Sequence, residues 1–342
     1  MLLGLLTVSM ASAQERTFSA NGFNCKVISD AAVEITGVTS AVEGTLTIPM
    51  TVNDDGTPYT VAAIGAEAFK NASITEVDFS DATGLQRIGE SAFAECKQLV
   101  TVKFPALDSS SLTEIGALAF HHCTALSSMN LQDTRIEVLE ALFTKDMYDE
   151  EYFDDLLSLQ LPETLKEIKS YALQFLGLRS ITIPSGVTAF GEGVLEGTIY
   201  LEEFYWKGAQ VTSLPQNTFL GEDALKTVYF LTTQDIDPDG LTDMHFYMCD
   251  KDLLNVYVTQ NSYDILVANG YTNENSIYST LVADTEWQPV TPEPGDDPDA
   301  IVSIHKDQTV NVIYNIQGVR VDLNQLHKGD LYIKDGKKFV KE

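Results

Sequence analysis

Apolar residues recur along this chain in two alternating patterns. One is the phrase Ile-Gly-x-x-Ala-Phe, at residues 64–69, 88–93 and 115–120, with Phe143, Leu173, Leu195 and Phe219 closing weaker copies. The steps between these closing positions are 24, 27, 23, 30, 22 and 24 residues. A period of this length predicts a solenoid, whose repeats bury their cores only against their neighbours. The second pattern is apolar-x-x-apolar-x-apolar. It runs as Ile74/Val77/Phe79, Leu99/Val102/Phe104, Leu126/Met129/Leu131 and Leu156/Leu159/Leu161. It continues as Leu178/Ile181/Ile183, Leu201/Phe204/Trp206, Leu225/Val228/Phe230 and Leu253/Val256/Val258. The last two apolar residues of each copy flank a mostly polar one, the period-two mark of a strand with one buried face. Pro105, Pro162 and Pro184 close three copies, since proline has no N–H for a ladder bond. Eight such strands at ~4.8 Å spacing predict one parallel sheet roughly 35–40 Å long. The Ile-Gly phrase is then an irregular or short-helical return arm, whose Gly and Ala allow close approach and whose Phe fills the interior.

The flanks divide the chain further. Leu2 to Met10 is a short apolar run ahead of Ala11-Ser12-Ala13, so residues 1–13 are expected to be a signal peptide, although no basic residue precedes the run. Short strand patterns predict a β-rich N-terminal cap over residues 14–45, covering the end of repeats assigned to 46–280. Residues 281–300, rich in Pro and Asp, form an extended solvated linker. Residues 301–342 carry two alternating patterns and an Asp335-Gly336 turn signal, which predict a small antiparallel β module.

Together the two patterns resemble the BspA-like leucine-rich repeats, most cleanly in Leu178-Arg-Ser-Ile-Thr-Ile-Pro184 and in the Ala-Phe-x-x-Cys endings at Cys96 and Cys123. The resemblance spans about residues 46–270 and falters at the insert between Phe143 and Leu156. It implies a leucine-rich-repeat solenoid from a surface or secreted protein, of a kind frequent in host-associated Bacteroidetes and often adhesive. The C-terminal module, through Tyr314-Asn-Ile-Gln-Gly318 and Lys328-Gly329…Tyr332-Ile333, resembles the tail read as a type IX secretion sorting domain. It departs from that tail by its brevity and by Asp330 after the glycine, so a sorting or attachment role stands beside a capping one.

Charge narrows the partner class. The chain carries 21 Lys+Arg against 50 Asp+Glu, and residues 301–342 alone hold seven against five. The remaining 14 basic residues against 45 acidic make the solenoid strongly anionic, which excludes a nucleic-acid partner because phosphate contacts need a cationic stripe. No apolar run reaches the ~18–20 residues that span a bilayer. The expected partner is an extracellular protein or glycan, and oligomeric state is left open.

Candidate residues come from the strand register. The outward slot between the last two buried residues of each copy reads Asp78, Lys103, Asn130, Gln160, Thr182, Tyr205, Tyr229, Tyr257. Tyr205, Tyr229 and Tyr257 fall in consecutive repeats, with Glu202, Glu203, Lys226 and Asn255 beside them. Tyrosine gives large contact area at low entropic cost, so this face is a candidate binding surface; the alternative is a cross-strand aromatic ladder that only stabilises the sheet. Asp235, Asp237 and Asp239, followed by Gly240, have the alternation of a calcium loop. Phe246 stands where the bidentate carboxylate belongs, so calcium is a minor expectation and no other cofactor is expected. His121 and His122 precede Cys123 in one return phrase, but neither a nucleophile–base–orienter set nor a zinc ligand spacing is legible. The expected function is non-catalytic binding of adhesin type, with a glycan-capture accessory protein or an envelope spacer as alternatives.

Overall fold

The computed structural model describes residues 16–143, 156–207, 215, 218, 219, 222, 224–230 and 254–268, together with the backbone of strands at 280–283, 313–315, 320–321, 331–334 and 337–340. The signal-peptide segment, the acidic insert at 146–155, the calcium candidates Asp235, Asp237 and Asp239, and Cys249 lie outside the described residues.

The apolar-x-apolar copies form parallel strands as their period requires. The broad face comprises three sheets. Glu43–Thr47, Ser73–Asp78 and Thr101–Lys103 make the first, and Ser128–Asn130 with Ser158–Gln160 the second. The third runs Ser180–Ile183, Glu203–Trp206, Thr227–Phe230, Asn255–Val258 and Thr280–Ala283. The expectation of one unbroken sheet is therefore corrected: ladder pairing lapses after Thr101–Lys103 and after Ser158–Gln160, two strands of only three residues. The strand at Thr280–Ala283 extends the last sheet into residues read from sequence as linker.

The return arms are more ordered than their sequence suggests. Ile64, Ile88 and Ile115 of the Ile-Gly phrases pair in register in a second parallel ladder, in which Arg87–Ile88 lies on Glu114–Ile115, and the later coils repeat it with the two-residue strands Glu167–Ile168 and Ala189–Phe190. In the first three copies the glycine that follows continues the ladder at close range. Gly89 N–H donates to Ile64 O at 2.9 Å and Gly116 N–H to Ile88 O at 2.8 Å. A Cβ on Gly116 would stand 2.6 Å from the Glu90 nitrogen. Beyond the glycine, two left-handed residues four apart turn each arm: Glu67/Asn71, Ser91/Glu95, Leu118/His122 and Tyr171/Phe175. That conformation costs a non-glycine residue roughly 1–2 kcal/mol. It is offset by further bonds between coils, in which Ser91, Phe93 and Glu95 donate to the carbonyls of Ala117, Ala119 and His121.

The closing aromatics make the spine of the core. Phe69 stacks on Phe93 at 5.2 Å and Phe93 on Phe120 at 5.5 Å, with Phe143 tilted beyond at 6.4 Å. Cys96 and Cys123 are free, buried thiols that donate to Phe69 O and Phe93 O in the preceding coil, each at 3.2 Å. Thr198 makes the same bond to Leu173 O. Burial pushes the Cys96 thiol from 9.0 to about 11 and raises Cys123 further.

The cap is an antiparallel meander of Thr17–Ala20, Phe23–Ser29 and Ala32–Val38. Its last strand pairs parallel with Thr57–Ile64, and Gly65 N–H donates to Ile35 O at 2.8 Å, so the cap continues the Ile-Gly ladder. Its free Cys25 is buried as well. Residues 284–342 form a separate unit. Its strands Arg320–Val321, Ile313–Asn315, Leu331–Lys334 and Lys337–Val340 make a four-stranded antiparallel sheet in that order, with Asp335-Gly336 linking the last two.

Candidate binding face

The third sheet sets the geometry of the tyrosine row. Its strands pair in register, so that Thr182 lies opposite Tyr205, Tyr205 opposite Tyr229, and Tyr229 opposite Tyr257. Ile181, Phe204, Val228 and Val256 on one side, and Ile183, Trp206, Phe230 and Val258 on the other, point into the core. The tyrosines are left half-buried on the outer surface. Neighbouring strands lie ~4.8 Å apart, a separation at which identical in-register rings meet face to face. Tyr205 and Tyr229 stack at 4.8 Å and 3°, and Tyr229 and Tyr257 at 4.5 Å and 16°. Ring faces are thus turned on one another, and the row offers edges and phenolic oxygens outward.

Charged groups border the row in a specific order. Glu202 accepts from both sides, from Arg179 Nη1 at 3.1 Å and from Lys226 Nζ at 2.8 Å. Glu203 instead accepts the Tyr205 hydroxyl at 3.0 Å. Lys226 and Glu203 therefore lie on the same face but belong to different pairs. Arg179 was missed by inspection of the sequence. The available signal was position: Arg179, Glu202 and Lys226 each follow the first leucine of a copy, and their signs alternate. The run ends at Leu254, which is buried. Exposed pairs of this kind contribute little to stability, about 0–1 kcal/mol each. Their effect here is to hold three long side chains extended along the sheet.

The far end of the face differs in character. Asp78 lies opposite Lys103, whose ammonium reaches Glu76 at 3.0 Å. Hydrogen bonds from the Ser80 hydroxyl and N–H hold the Asp78 carboxyl below its ordinary value, and Glu76 holds the Lys103 ammonium above its own. Charged slots thus give way along the solenoid to amides, then to threonine, then to stacked tyrosine. Among the described residues no helix is long and apolar enough to cross a membrane.

Three solved structures are similar to this chain. A leucine rich cell surface protein from Faecalibacterium prausnitzii is 18% identical, with a TM-score of 0.41 over 80% of this chain and 96% of its own. A leucine rich repeat protein of T. pallidum is also 18% identical, with a TM-score of 0.40 over 75% of this chain and 97% of its own. The pneumococcal vaccine antigen PcpA is 14% identical, with a TM-score of 0.34 over 79% of this chain and 99% of its own. No curated protein matches the chain. The model of the BspA type leucine rich repeat region matches in six copies over residues 62–152 and 151–265, more than half of the length. With the two coil ladders and the phenylalanine spine, that match shows that the chain belongs to the BspA-type leucine-rich repeat family.

Proposed function

We propose that this chain is an exported, surface-displayed binding protein of adhesin type, which acts without catalysis and holds an extracellular macromolecule against the face of Tyr205, Tyr229 and Tyr257. The observation that carries this reading is the stacked row itself, bordered by the Arg179–Glu202–Lys226 chain. A preorganised aromatic surface loses little entropy on binding, and tyrosine is the residue that interfaces enrich. Stacking also favours a protein over a glycan as ligand. Sugars are held on free aromatic faces, and here four of the six ring faces, both of those of Tyr229 among them, are occupied by neighbouring rings, whereas phenolic oxygens, Glu203 and Lys226 suit the polar rim of a protein interface. Residues 1–13 and 301–342 fit this role as leader and as sorting or attachment module. The surface description of the Faecalibacterium prausnitzii relative agrees with it.

Binding of the full chain to a panel of matrix proteins and to a glycan array tests the reading. The informative variants keep the stack: a triple Tyr→Phe change at positions 205, 229 and 257, and Glu203→Lys with Lys226→Glu. Capture of a matrix protein that both variants weaken at least tenfold is the expected result. Binding confined to glycans would transfer the chain to polysaccharide capture, and binding to neither panel would leave an envelope spacer.

A further inference from the structure

We propose that Glu95, His121 and His122 form a binding site for a divalent transition ion, with zinc as the ion of choice. One ligand atom from each residue lies within 4.8 Å of the others. The two imidazoles, adjacent in sequence, stack at 3.9 Å and 21°. His122 Nδ1 stands 3.0 Å from Glu95 Oε1. A tetrahedral zinc with bonds of about 2.0–2.2 Å spaces its ligand atoms at about 3.3–3.5 Å, so small side-chain rotations close the set.

Solenoid stacking explains why these three residues meet. Glu95 and His122 each occupy the second left-handed position of the return arm, in successive coils, with φ of 64° and 55°. The arms are locked together at this point by Glu95 N–H donating to His121 O at 2.7 Å. The left-handed turn at His122 brings its ring onto the same side as that of His121, where extended backbone would send the two in opposite directions. The group is only partly accessible: the His122 side chain is 14% exposed and that of Glu95 27%. Cys123 takes no part, because its thiol points inward to Phe93 O.

The chemistry of the donors selects the ion. Two imidazoles and one carboxylate suit zinc, copper or nickel and are a poor set for calcium or magnesium, which require oxygen. Three protein ligands leave a fourth position toward solvent. Lys97 Nζ lies 3.5 Å from Glu95 Oε2, but its side chain is 62% exposed and free to swing outward when a cation enters. Glu95 and the histidines are 26 and 27 residues apart in sequence, which hides the set from any search for local ligand spacing.

Titration of the EDTA-treated full chain with ZnCl2 by calorimetry, and with Co2+ by visible spectroscopy, tests the proposal. His245, His305 and His327 also offer imidazoles, so variants make the assignment. His122→Asn tolerates the left-handed backbone, and Glu95→Gln preserves size at the partner position. Expected are one zinc equivalent lost or weakened at least tenfold in each variant, a cobalt spectrum of a four- or five-coordinate N/O site that each abolishes, and unchanged far-UV circular dichroism. Absence of binding by the native chain overturns the site. So does a zinc affinity and cobalt spectrum that both variants retain.

Discussion

Replacing Tyr229 by serine removes the middle ring of a three-ring stack, and the cost follows from its position. Tyr229 faces Tyr205 at 4.8 Å and Tyr257 at 4.5 Å, so one substitution ends two ring pairs. Aromatic pairs contribute about 0.5–1.5 kcal/mol each beyond their area burial. The loss at Tyr229 is therefore about 1–3 kcal/mol, whereas serine at Tyr205 or Tyr257 ends a single pair for about half as much. Phenylalanine at 229 keeps both pairs and should cost near zero. Each coil of a solenoid contacts only its neighbours, so the loss is concentrated in the last sheet and does not spread over the molecule. Hydrogen exchange of the 203–206, 227–230 and 255–258 amides, combined with urea unfolding, reads this directly. Protection should fall most in Tyr229→Ser and be retained in Tyr229→Phe. Equal losses at 205 and 229, or a phenylalanine variant as damaged as serine, would refute the claim that stacking between the rings stabilises this face.

Two further outcomes follow from the coil contacts. Gly116→Ala places a methyl 2.6 Å from the Glu90 nitrogen, while Gly65→Ala meets its nearest atoms at 3.3 Å. The first should cost about 1–3 kcal/mol by urea unfolding and the second distinctly less; indistinguishable midpoints would contradict close coil approach as the reason for the glycines. The buried thiols predict a pH effect. Burial raises Cys25, with Asp54 adding to it, and Cys96 from 9.0 to about 11. A neutral thiol in the folded state and a thiolate in the unfolded one mean that this stability is whole below pH 9 and is lost as pH rises through about 11. In native protein at pH 8, Cys25, Cys96 and Cys123 should resist a disulfide-exchange reagent and react once unfolded; rapid native labelling at any of these three, located by peptide mapping, would show them to be accessible.

Much of this architecture is legible because a solenoid converts sequence period into spatial neighbourhood. The period alone aligns the tyrosine slot, since residues equivalent in register become strand partners: Tyr205 is paired with Tyr229 by the same rule that pairs Ile181 with Phe204. The features that escaped are those in which identity alone does not fix geometry. A two-residue strand such as Glu114–Ile115 has no pattern of its own and exists only because the coil before it offers carbonyls. Left-handed turns at Glu67, Ser91 and Leu118 carry none of the glycine that would announce them. The same limit applies to the candidate binding face. Register brings three tyrosines together, but whether they turn their faces outward or toward one another depends on ring rotation, and a stack leaves a ligand only edges and hydroxyl groups to recognise. For this reason the two roles first set against each other, stabilising ladder and binding patch, are compatible. In the proposed function the stack fixes the rings in advance and recognition is assigned to Glu203, Lys226 and the phenolic oxygens, which reversed charge or substitution by phenylalanine removes while both ring pairs are kept.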